Sequence, residues 1–127
     1  KHNVNISWHP KPIQGDCNGS GMHTNFSTLA MRDSEGLQHI LDAMPKLEAK
    51  HKEHLEVYGV DNDQRLTGEH ETASMDQFSW GYADRGRSIR ISKIVEKEGR
   101  GYFEDRRPAS SCDMYLVAHK LIETVCC

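Results

Sequence analysis

The octapeptide GYFEDRRP, residues 101–108, constrains the fold of this chain more than any other stretch, because it places two acids beside two arginines between a glycine and a proline. Successive side chains of a β-strand point to opposite faces. A strand here would carry Tyr102, Glu104 and Arg106 on one face and Phe103, Asp105 and Arg107 on the other. The first face suits a nucleotide, a divalent cation and an anion. Charged runs of this kind are also typical of solvated surface, so other motifs must decide between a ligand-binding strand and an exposed segment.

Length and composition indicate one modest domain with a thin core, since 36% of the 127 residues are apolar and 7% are aromatic. The formal net charge of −3 argues against nucleic acid and membrane surfaces as partners, because both favour a strongly basic face. The sequence begins at Lys1 rather than Met and ends at Cys127 within a predicted helix. We therefore expect a piece of a longer polypeptide, whose folding partners lie elsewhere.

The arginines and cysteines narrow the class of protein further. Six arginines within one short span could form a local anion site or a salt-bridged surface: Arg85, Arg87, Arg90, Arg100, Arg106 and Arg107. Four cysteines show no metal-type spacing, and we expect them to be reduced thiols in an intracellular protein: Cys17, Cys112, Cys126 and Cys127. No apolar stretch approaches the roughly 20 residues that a membrane span requires.

The pattern along the chain predicts mixed α and β structure. Alternation predicts strands over Asn3–Trp8, Phe78–Tyr82 and Ser88–Ile91. Three glycines in GDCNGSG, residues 15–21, predict a loop where the backbone approaches another group closely. The polar segment 61–72 contains Arg65 and Glu71 and predicts a mobile loop with functional groups.

Helical spacing of apolar residues predicts two consecutive helices and one at the end of the chain. Ser34 would cap the first helix, Pro45 would begin the second, and Gly59 would close it. Asp113 would cap the last helix. We expect Lys50, His51, Lys52 and His54 to form a solvated or interface-facing edge of the second helix rather than a metal site.

Four motifs lie in order along the chain: NGSGMHTNFST from Asn18, RLTGEHET from Arg65, DRGRSIR from Asp84 and GYFEDRRP from Gly101. Together with PKPI at Pro10, HKEH at His51 and FSWG at Phe78, they resemble the C-terminal half of the catalytic domain of glutamine synthetase of the eukaryotic type. The resemblance implies that residues 1–127 are a C-terminal portion of that domain. It implies an α+β fold with a curved antiparallel sheet and flanking helices.

The resemblance also implies a reaction and its partners. The γ-carboxylate of L-glutamate would attack ATP to give an acyl phosphate, and ammonia would then displace phosphate to give L-glutamine. Such a reaction relies on metal ions and guanidinium groups positioned in advance. ATP, Mg or Mn, glutamate and ammonium are the implied ligands. A cytoplasmic homo-oligomer, a decamer of two five-membered rings, is the implied assembly, with an organellar form also open.

Site residues follow from the matching motifs. The implied metal ligands are His23 and Glu104. The implied nucleotide site comprises Asn25, Phe26, Ser27, Arg85, Arg90, Tyr102, Phe103 and Glu104. The implied glutamate site comprises Asp16, Cys17, Asn18, Gly19, His23, Arg65, Arg85 and Arg106. The implied catalytic groups are Glu71, Arg85 and Arg106, with Glu71 on a flap that closes over the acyl phosphate, excludes water and helps to deprotonate ammonium.

Three departures from the family pattern limit what the resemblance implies. Cys17 stands where the family usually has Trp, which would remove an aromatic wall beside the substrate loop. Leu29 replaces a usual Lys, and Met114 replaces a usual Pro. Two alternatives stay open: a non-catalytic structural relative of the kind found in the lens, and a ligase that joins an amine to a different carboxylate.

Overall fold

The protein is α+β, as the sequence predicts. A computed structural model describes residues 2–127. The elements in chain order are β1 (Thr24–Phe26), α1 (Leu29–Arg32), α2 (Gly36–Ala49), α3 (His51–Val57), β2 (Trp80–Tyr82), β3 (Ile89–Ile91), α4 (Lys93–Glu98), β4 (Phe103–Asp105) and α5 (Met114–Cys126). A short 3₁₀ turn, Asn62–Gln64, precedes the segment that carries Glu71.

Four short strands form one sheet in the order β1-β4-β3-β2. Strand β4 is antiparallel to both of its neighbours, but β2 and β3 are parallel. The expectation of an antiparallel sheet is therefore wrong, and the sheet is mixed. The parallel pairing follows from the connection between β2 and β3. Ala83 is left-handed with φ 53°, and the Asp84 carboxylate accepts the Gly86 N–H at 2.8 Å, which turns the chain back before β3 begins.

Register places the predicted functional residues in one row across the sheet. Glu104 on β4 lies opposite Asn25 on β1 and opposite Arg90 on β3. Directly opposed residues in a sheet share a face. These three side chains therefore form one face, which we call the front face, and the alternate residues form the back face.

The back face packs against the helices to make the core. Ile89, Ile91 and Phe103 are fully buried there, and the rings of Phe103 and Phe26 lie 5.4 Å apart. Helices α2 and α5 supply most of the opposing apolar side chains: Ile40, Ala43, Met44, Leu47, Val117 and Leu121. Helix α3 packs against α5 and closes the core beside β4. Burial of these side chains holds β4 in place from behind.

The predicted helices form, but two of their boundaries differ from the prediction. Pro45 lies inside α2 rather than at a helix start, and the interruption falls at Lys50. Pro45 is exposed, so its ring meets solvent. Ser34 does not cap α2. Glu35 precedes the helix in the left-handed region with φ 63°, and the Leu37 N–H is donated to the Gly99 carbonyl at 2.8 Å.

Helix ends elsewhere follow the sequence signals. The Asp113 carboxylate accepts the Tyr115 N–H at 2.8 Å and caps α5, as predicted. Gly59 follows the end of α3 with φ 104°, a conformation that favours glycine. The strands predicted over Phe78–Tyr82 and Ser88–Ile91 form as the shorter β2 and β3.

The strand predicted over Asn3–Trp8 does not form. Val4, Ile6 and Trp8 alternate in sequence, but their exposed fractions are 75%, 77% and 68%. Alternation gives a strand only where another strand supplies hydrogen bonds, and no strand pairs with this segment within residues 2–127. None of the helices within residues 2–127 is long and apolar enough to span a bilayer. All four cysteines are free thiols.

Candidate active site

Three basic side chains converge on Glu104 at the front face. Arg90 Nε lies 2.6 Å from Glu104 Oε2, and Arg106 Nη1 lies 3.3 Å from Oε1. His23, two residues before Asn25 and on the same face, places Nδ1 3.2 Å from Glu104 Oε1. Glu104 is 8% exposed, so these charges interact in a partly desolvated site. The cluster has more positive than negative charge, which favours an anion.

The surroundings of His23 favour its neutral form. Burial lowers its pKa below the ordinary value, the charge of Arg106 lowers it further, and Glu104 opposes both effects. A neutral imidazole nitrogen beside a carboxylate oxygen is a donor pair that a divalent cation can bind. Residues 2–127 contain no group of three or more potential metal ligands, so this chain supplies two donors.

Arg106 ties together the segments that carry the other candidate catalytic groups. It is 7% exposed. Its Nε donates to the Arg85 carbonyl at 3.2 Å, and its Nη2 donates to the Glu71 carbonyl at 3.0 Å. One guanidinium group therefore contacts Glu104, the Arg85 loop and the flap residue at once. We call His23, Glu71, Arg85, Arg90, Glu104 and Arg106 the front-face cluster.

Glu71 and Arg85 face each other across the entrance to the cluster. Arg85 Nη1 lies 3.1 Å from Glu71 Oε1, and both side chains are more than half exposed. His70 and Glu71 are consecutive non-glycine residues in the left-handed region, with φ 51° and 61°. Each such residue costs roughly 1–2 kcal/mol of backbone strain. The hydroxyl of Thr72 donates to the Glu69 carbonyl at 2.7 Å and helps to hold this turn.

Four of the eight residues implied for glutamate line a neighbouring cleft. Asp16, Cys17, Gly19 and Arg65 line it, together with Lys11 and His70. Asp16 Oδ1 and His70 Nε2 are 2.9 Å apart, which joins the glycine-rich loop to the flap turn. Asn18 is exposed and does not line the cleft.

Arg65 is mainly engaged with the protein itself. It is 5% exposed, and Nη2 donates to the carbonyls of Arg106, Arg107 and Pro108 at 2.8–3.0 Å. Its Nε donates to Asn62 Oδ1 at 3.2 Å, so only Nη1 remains for a ligand. Burial, followed by the charge of Arg106, lowers the pKa of Arg65 to about 10, which leaves it charged at neutral pH. A role in binding glutamate stays a prediction.

The glycine-rich loop is close-packed against Arg65, which explains two of its glycines. A Cβ atom at Gly19 would lie 2.4 Å from Arg65 Cγ, and one at Gly21 would lie 2.8 Å from Arg65 Nη1. Lys11, in the PKPI motif, is 8% exposed and donates from Nζ to the Cys17 carbonyl. Apart from its place in that motif, Lys11 carries no signal in the sequence that predicts this contact.

The residues implied for the nucleotide divide between the two faces. Asn25 and Tyr102 are exposed, and Arg90 is partly so. Phe26 and Ser27 are half-buried. The Phe103 ring is fully buried against Phe26, and its place in a nucleotide site stays a prediction. Strand alternation in residues 101–108 predicts that Phe103 and Glu104 lie on opposite faces.

The back face of β4 carries a buried ion pair. Arg107 Nη2 lies 2.7 Å from Asp105 Oδ2, and Arg107 Nε donates to Oδ1 at 2.9 Å. Arg107 Nη1 donates to His51 Nδ1 at 3.0 Å, and His51 Nε2 donates to the Met75 carbonyl at 3.0 Å. This network anchors the strand that presents Glu104.

His51 and His54 do not form a solvated edge, so that prediction is wrong. Their exposed fractions are 7% and 0%. The flanking Lys52 is exposed, but the two histidines point inward and are fully hydrogen-bonded. Burial of a histidine is tolerable where both ring nitrogens find partners. Those partners come from distant segments, and local periodicity cannot show them.

Comparison with known proteins shows the family to which this chain belongs. The glutamine synthetase of Yarrowia lipolytica is 61% identical to this chain over 123 residues, and that of Kluyveromyces lactis is 60% identical over 123 residues. Each match covers 97% of this chain. The chain belongs to the glutamine synthetase family. The glutamine synthetase cytosolic isozyme 1-5 of Arabidopsis thaliana is 58% identical over 121 residues, or 95% of this chain.

The family match covers only part of each relative. The chain spans about a third of the length of these glutamine synthetases, with 34% covered for Yarrowia lipolytica and 33% for Kluyveromyces lactis. None of the known protein-family models matches the chain. Membership of the glutamine synthetase family therefore rests on sequence identity and on the four motifs.

Proposed function

We propose that the protein that contains this chain joins ammonia to L-glutamate with cleavage of ATP, giving L-glutamine, ADP and phosphate. The observation that carries the proposal is the convergence of His23, Arg90 and Arg106 on Glu104. This convergence occurs in a chain that is 61% identical to a glutamine synthetase. The γ-carboxylate of glutamate would attack the terminal phosphorus of ATP and release ADP. Ammonia would then attack the acyl carbon and release phosphate.

The front-face cluster contains an imidazole and a carboxylate, which are both types of ligand that a divalent metal binds. His23 and Glu104 would hold the ion, with further donors from outside residues 2–127. A neutral imidazole favours Mn²⁺, and a carboxylate accepts Mg²⁺ or Mn²⁺. When bound, the ion would neutralise charge on phosphoryl oxygens. Arg90 and Arg106 hold the Glu104 carboxylate between them, which fixes where its oxygens lie.

The arginines of the cluster supply the positive charge that phosphoryl transfer needs. Such a transfer spreads negative charge over equatorial oxygens, and preorganised guanidinium groups stabilise it. Arg85 is the most exposed arginine of the cluster, with 60% of its side chain accessible. It can reach a phosphate without breaking a buried interaction, because its pair with Glu71 is exposed and weak. We assign Arg85 to the transferred phosphoryl group.

Glu71 and the neighbouring cleft account for the other two substrates. A carboxylate attracts ammonium and can then accept a proton, so that neutral ammonia attacks. Glutamate would lie in the cleft lined by Cys17, Gly19 and Arg65, with its carboxylates toward Arg65 Nη1 and Arg106. Arg106 donates to the Glu71 carbonyl, which would keep the proposed ammonium site next to the proposed glutamate site.

We further propose that the whole protein is a homo-oligomer, a decamer of two five-membered rings, in the cytoplasm. Large apolar side chains on the surface support an interface, among them Ile6 and Trp8 with exposed fractions of 77% and 68%. The cytosolic relative from Arabidopsis thaliana supports the compartment. Mass photometry of the full polypeptide tests the assembly, and a monomer would contradict it.

Phosphate release by the full polypeptide tests the proposed reaction. Release from ATP should require glutamate, ammonium and Mg²⁺ or Mn²⁺ together. Replacement of Glu71 by Gln should lower the rate at subsaturating ammonium at least about 100-fold, because a neutral amide neither attracts the cation nor accepts its proton. Glu56→Gln, exposed on α3 and outside both the cleft and the front-face cluster, is the control and should keep its activity. A full polypeptide that folds but releases no phosphate would favour a non-catalytic relative instead.

A further inference from the structure

Four buried side chains form a continuous hydrogen-bonded chain behind β4. Thr124 Oγ1 on α5 lies 2.9 Å from His54 Nε2 on α3, and His54 Nδ1 lies 2.6 Å from Tyr58 Oη. Tyr58 Oη lies 2.8 Å from Asp105 Oδ2 on β4. Thr124 is 4% exposed, and the other three side chains are fully buried. The chain therefore links two helices to the strand that carries Glu104.

The direction of each hydrogen bond follows from the charge of Asp105. Arg107 pairs with both oxygens of this buried carboxylate, Nη2 with Oδ2 at 2.7 Å and Nε with Oδ1 at 2.9 Å, and this ion pair keeps Asp105 ionised. An ionised carboxylate only accepts, so Tyr58 must donate its single hydroxyl proton to Asp105. His54 Nδ1 must then donate to Tyr58, and His54 Nε2 must accept from the Thr124 hydroxyl. His54 is thereby fixed as the neutral Nδ1–H tautomer.

This chain ends on the residue between two members of the front-face cluster. Asp105, the last residue of β4, lies between Glu104 and Arg106 in the chain, and its side chain points to the face opposite theirs. A rotation of β4 about its own axis would move Asp105 one way and the two cluster residues the other way. Asp105 Oδ1 also accepts the Arg107 N–H at 3.0 Å, so its orientation is coupled to the strand backbone.

We propose that Thr124 and His54 are positioning residues, which act through Tyr58 and Asp105 to fix the orientation of Glu104 and Arg106. The inference rests on the proposed function for its kinetic consequence, but the tautomer and the metal affinity can be measured without activity. The hydrogen-bond partners of Thr124 and His54 lie outside the front-face cluster. Their effect on the reaction is transmitted through the strand alone.

Replacement of the Thr124 hydroxyl tests the proposal with closely matched variants of the full polypeptide. Thr124→Val keeps the shape and removes the donor to His54, whereas Thr124→Ser keeps the hydroxyl. Mn²⁺ binding followed by electron paramagnetic resonance should weaken about 3- to 10-fold in Thr124→Val, less than the roughly 10- to 100-fold typical of residues that contact a metal ligand directly, because Thr124 acts through intervening groups. Thr124→Ser should stay within about 2-fold of the parent. Equal Mn²⁺ affinity of the Val and Ser variants would overturn the proposal.

Kinetics separates positioning from a loss of folded protein. A merely structural defect lowers the number of active molecules, so it reduces apparent kcat and leaves KM unchanged. Positioning predicts a several-fold increase in KM for glutamate in Thr124→Val, with rescue in Thr124→Ser. A fall in kcat alone would overturn it. If the parent protein binds Mn²⁺ but has no ligase activity, the proposed function fails while the Mn²⁺ comparison still decides the positioning role.

The tautomer has its own spectroscopic test. Solid-state ¹⁵N NMR of the histidine-labelled full polypeptide should show His54 with a protonated Nδ1 and an unprotonated Nε2. Tyr58→Phe removes the acceptor of the Nδ1 proton, and it should shift the His54 signals and weaken Mn²⁺ binding as Thr124→Val does. It also serves as the second variant if Thr124→Val does not fold. A protonated Nε2 in the parent protein would contradict the assigned direction of the whole chain.

Discussion

At the scale of single residues, the charge of Glu104 decides how the front-face cluster is balanced. One carboxylate lies within 3.3 Å of Arg90, Arg106 and His23. Removal of that charge would leave two guanidinium groups without their partner in a partly desolvated site, which is costly. It would also remove the carboxylate that lies 3.2 Å from His23 and would hold a metal with it.

Glu104→Gln tests this balance with almost no change in shape. We expect kcat/KM of the full polypeptide to fall at least about 100-fold, because both metal binding and the orientation of the arginines depend on the charge. Steady-state phosphate release measures the effect. Glu98→Gln, on the exposed end of α4, is the control and should match the parent. Comparable activity of the two variants would remove Glu104 from the site.

Of the three departures that the family resemblance implies, Cys17 is the one that lines the neighbouring cleft. Its thiol lies 3.5 Å from Lys11 Nζ, and its side chain is half-buried. Tryptophan would restore an aromatic wall beside the substrate loop. We expect Cys17→Trp to lower KM for glutamate about 3- to 10-fold, as a few contacts of a large ring are worth about 1 kcal/mol.

Steady-state kinetics with Cys17→Trp and Cys17→Ser separates a change in KM for glutamate caused by the added ring from a change caused by loss of the thiol. Serine removes the thiol without adding area, so it should leave KM within about 2-fold of the parent. An unchanged KM in the tryptophan variant would discard the idea that Cys17 alters glutamate affinity.

At the scale of secondary-structure elements, β4 shows what local sequence can and cannot predict. Alternation in residues 101–108 correctly separates Glu104 and Arg106 from Asp105 and Arg107, because a strand has a period of two whatever surrounds it. The same alternation fails at Asn3–Trp8, where no partner strand is present within residues 2–127. The difference lies in the neighbours, which the local sequence does not contain.

The predictions of two helix boundaries are wrong for a similar reason. Proline favours a helix start, yet Pro45 lies inside α2, because tertiary packing of Met44 and Leu47 continues the helix past it. The first residue of α2 is Gly36, where a Cβ would lie 2.0 Å from the Met31 carbonyl oxygen, so a larger residue would clash. This close approach of two segments cannot be predicted from the local sequence around Ser34, the predicted cap.

The approach to β4 from α4 gives a stability prediction with a built-in control. Gly101 has φ 144°, and a Cβ there would lie 2.7 Å from Val95 Cγ2. Gly99 has φ 69°, and a Cβ there would meet nothing within 4 Å. We expect Gly99→Ala to lower the free energy of unfolding by about 1 kcal/mol, from backbone strain alone. Gly101→Ala should lower it by about 2–4 kcal/mol, because a steric clash adds to the strain.

Urea denaturation of the two alanine variants and the parent measures this difference. Equal effects of the two substitutions would mean that Val95 moves away freely and that the segment before β4 is not tightly packed.

At the scale of the whole molecule, the two faces of the sheet have different chemistry and different predictability. The front-face residues could be assigned from motifs, since four runs in fixed order match one family. The back-face network could not, because it joins His51, His54, Tyr58 and Thr124 across up to 73 positions of the chain. Each of these side chains is ordinary in its own helix, and only the packing of α3 against α5 brings them together.

This back-face network predicts that the protein loses stability in mild acid. Burial, followed by the charge of Arg107, lowers the pKa of His54 to about 4 from its ordinary value of 6.5, although Asp105 opposes the shift. Lys120 and His51 lower it further. The unfolded chain therefore takes up the proton first. Stability is complete above pH 6.5 and falls between pH 6.5 and 4, by up to about 3 kcal/mol.

Unfolding measured from pH 8 to pH 4 tests this slope. His54→Gln should be less stable at pH 8 but should show a shallower loss toward acid than the parent. His39→Gln, at an exposed histidine on α2, should follow the parent throughout. A parent slope that His54→Gln leaves unchanged would assign the acid sensitivity to other groups.

The most direct test of the central claim follows the oxygen that the acyl phosphate would transfer. The full polypeptide is supplied with ATP, ammonium, Mg²⁺ and glutamate labelled with ¹⁸O in its γ-carboxylate, and the released phosphate is analysed by mass spectrometry. Attack of that carboxylate on ATP predicts one ¹⁸O in each phosphate, with no release when glutamate is omitted. Phosphate without ¹⁸O would contradict the account.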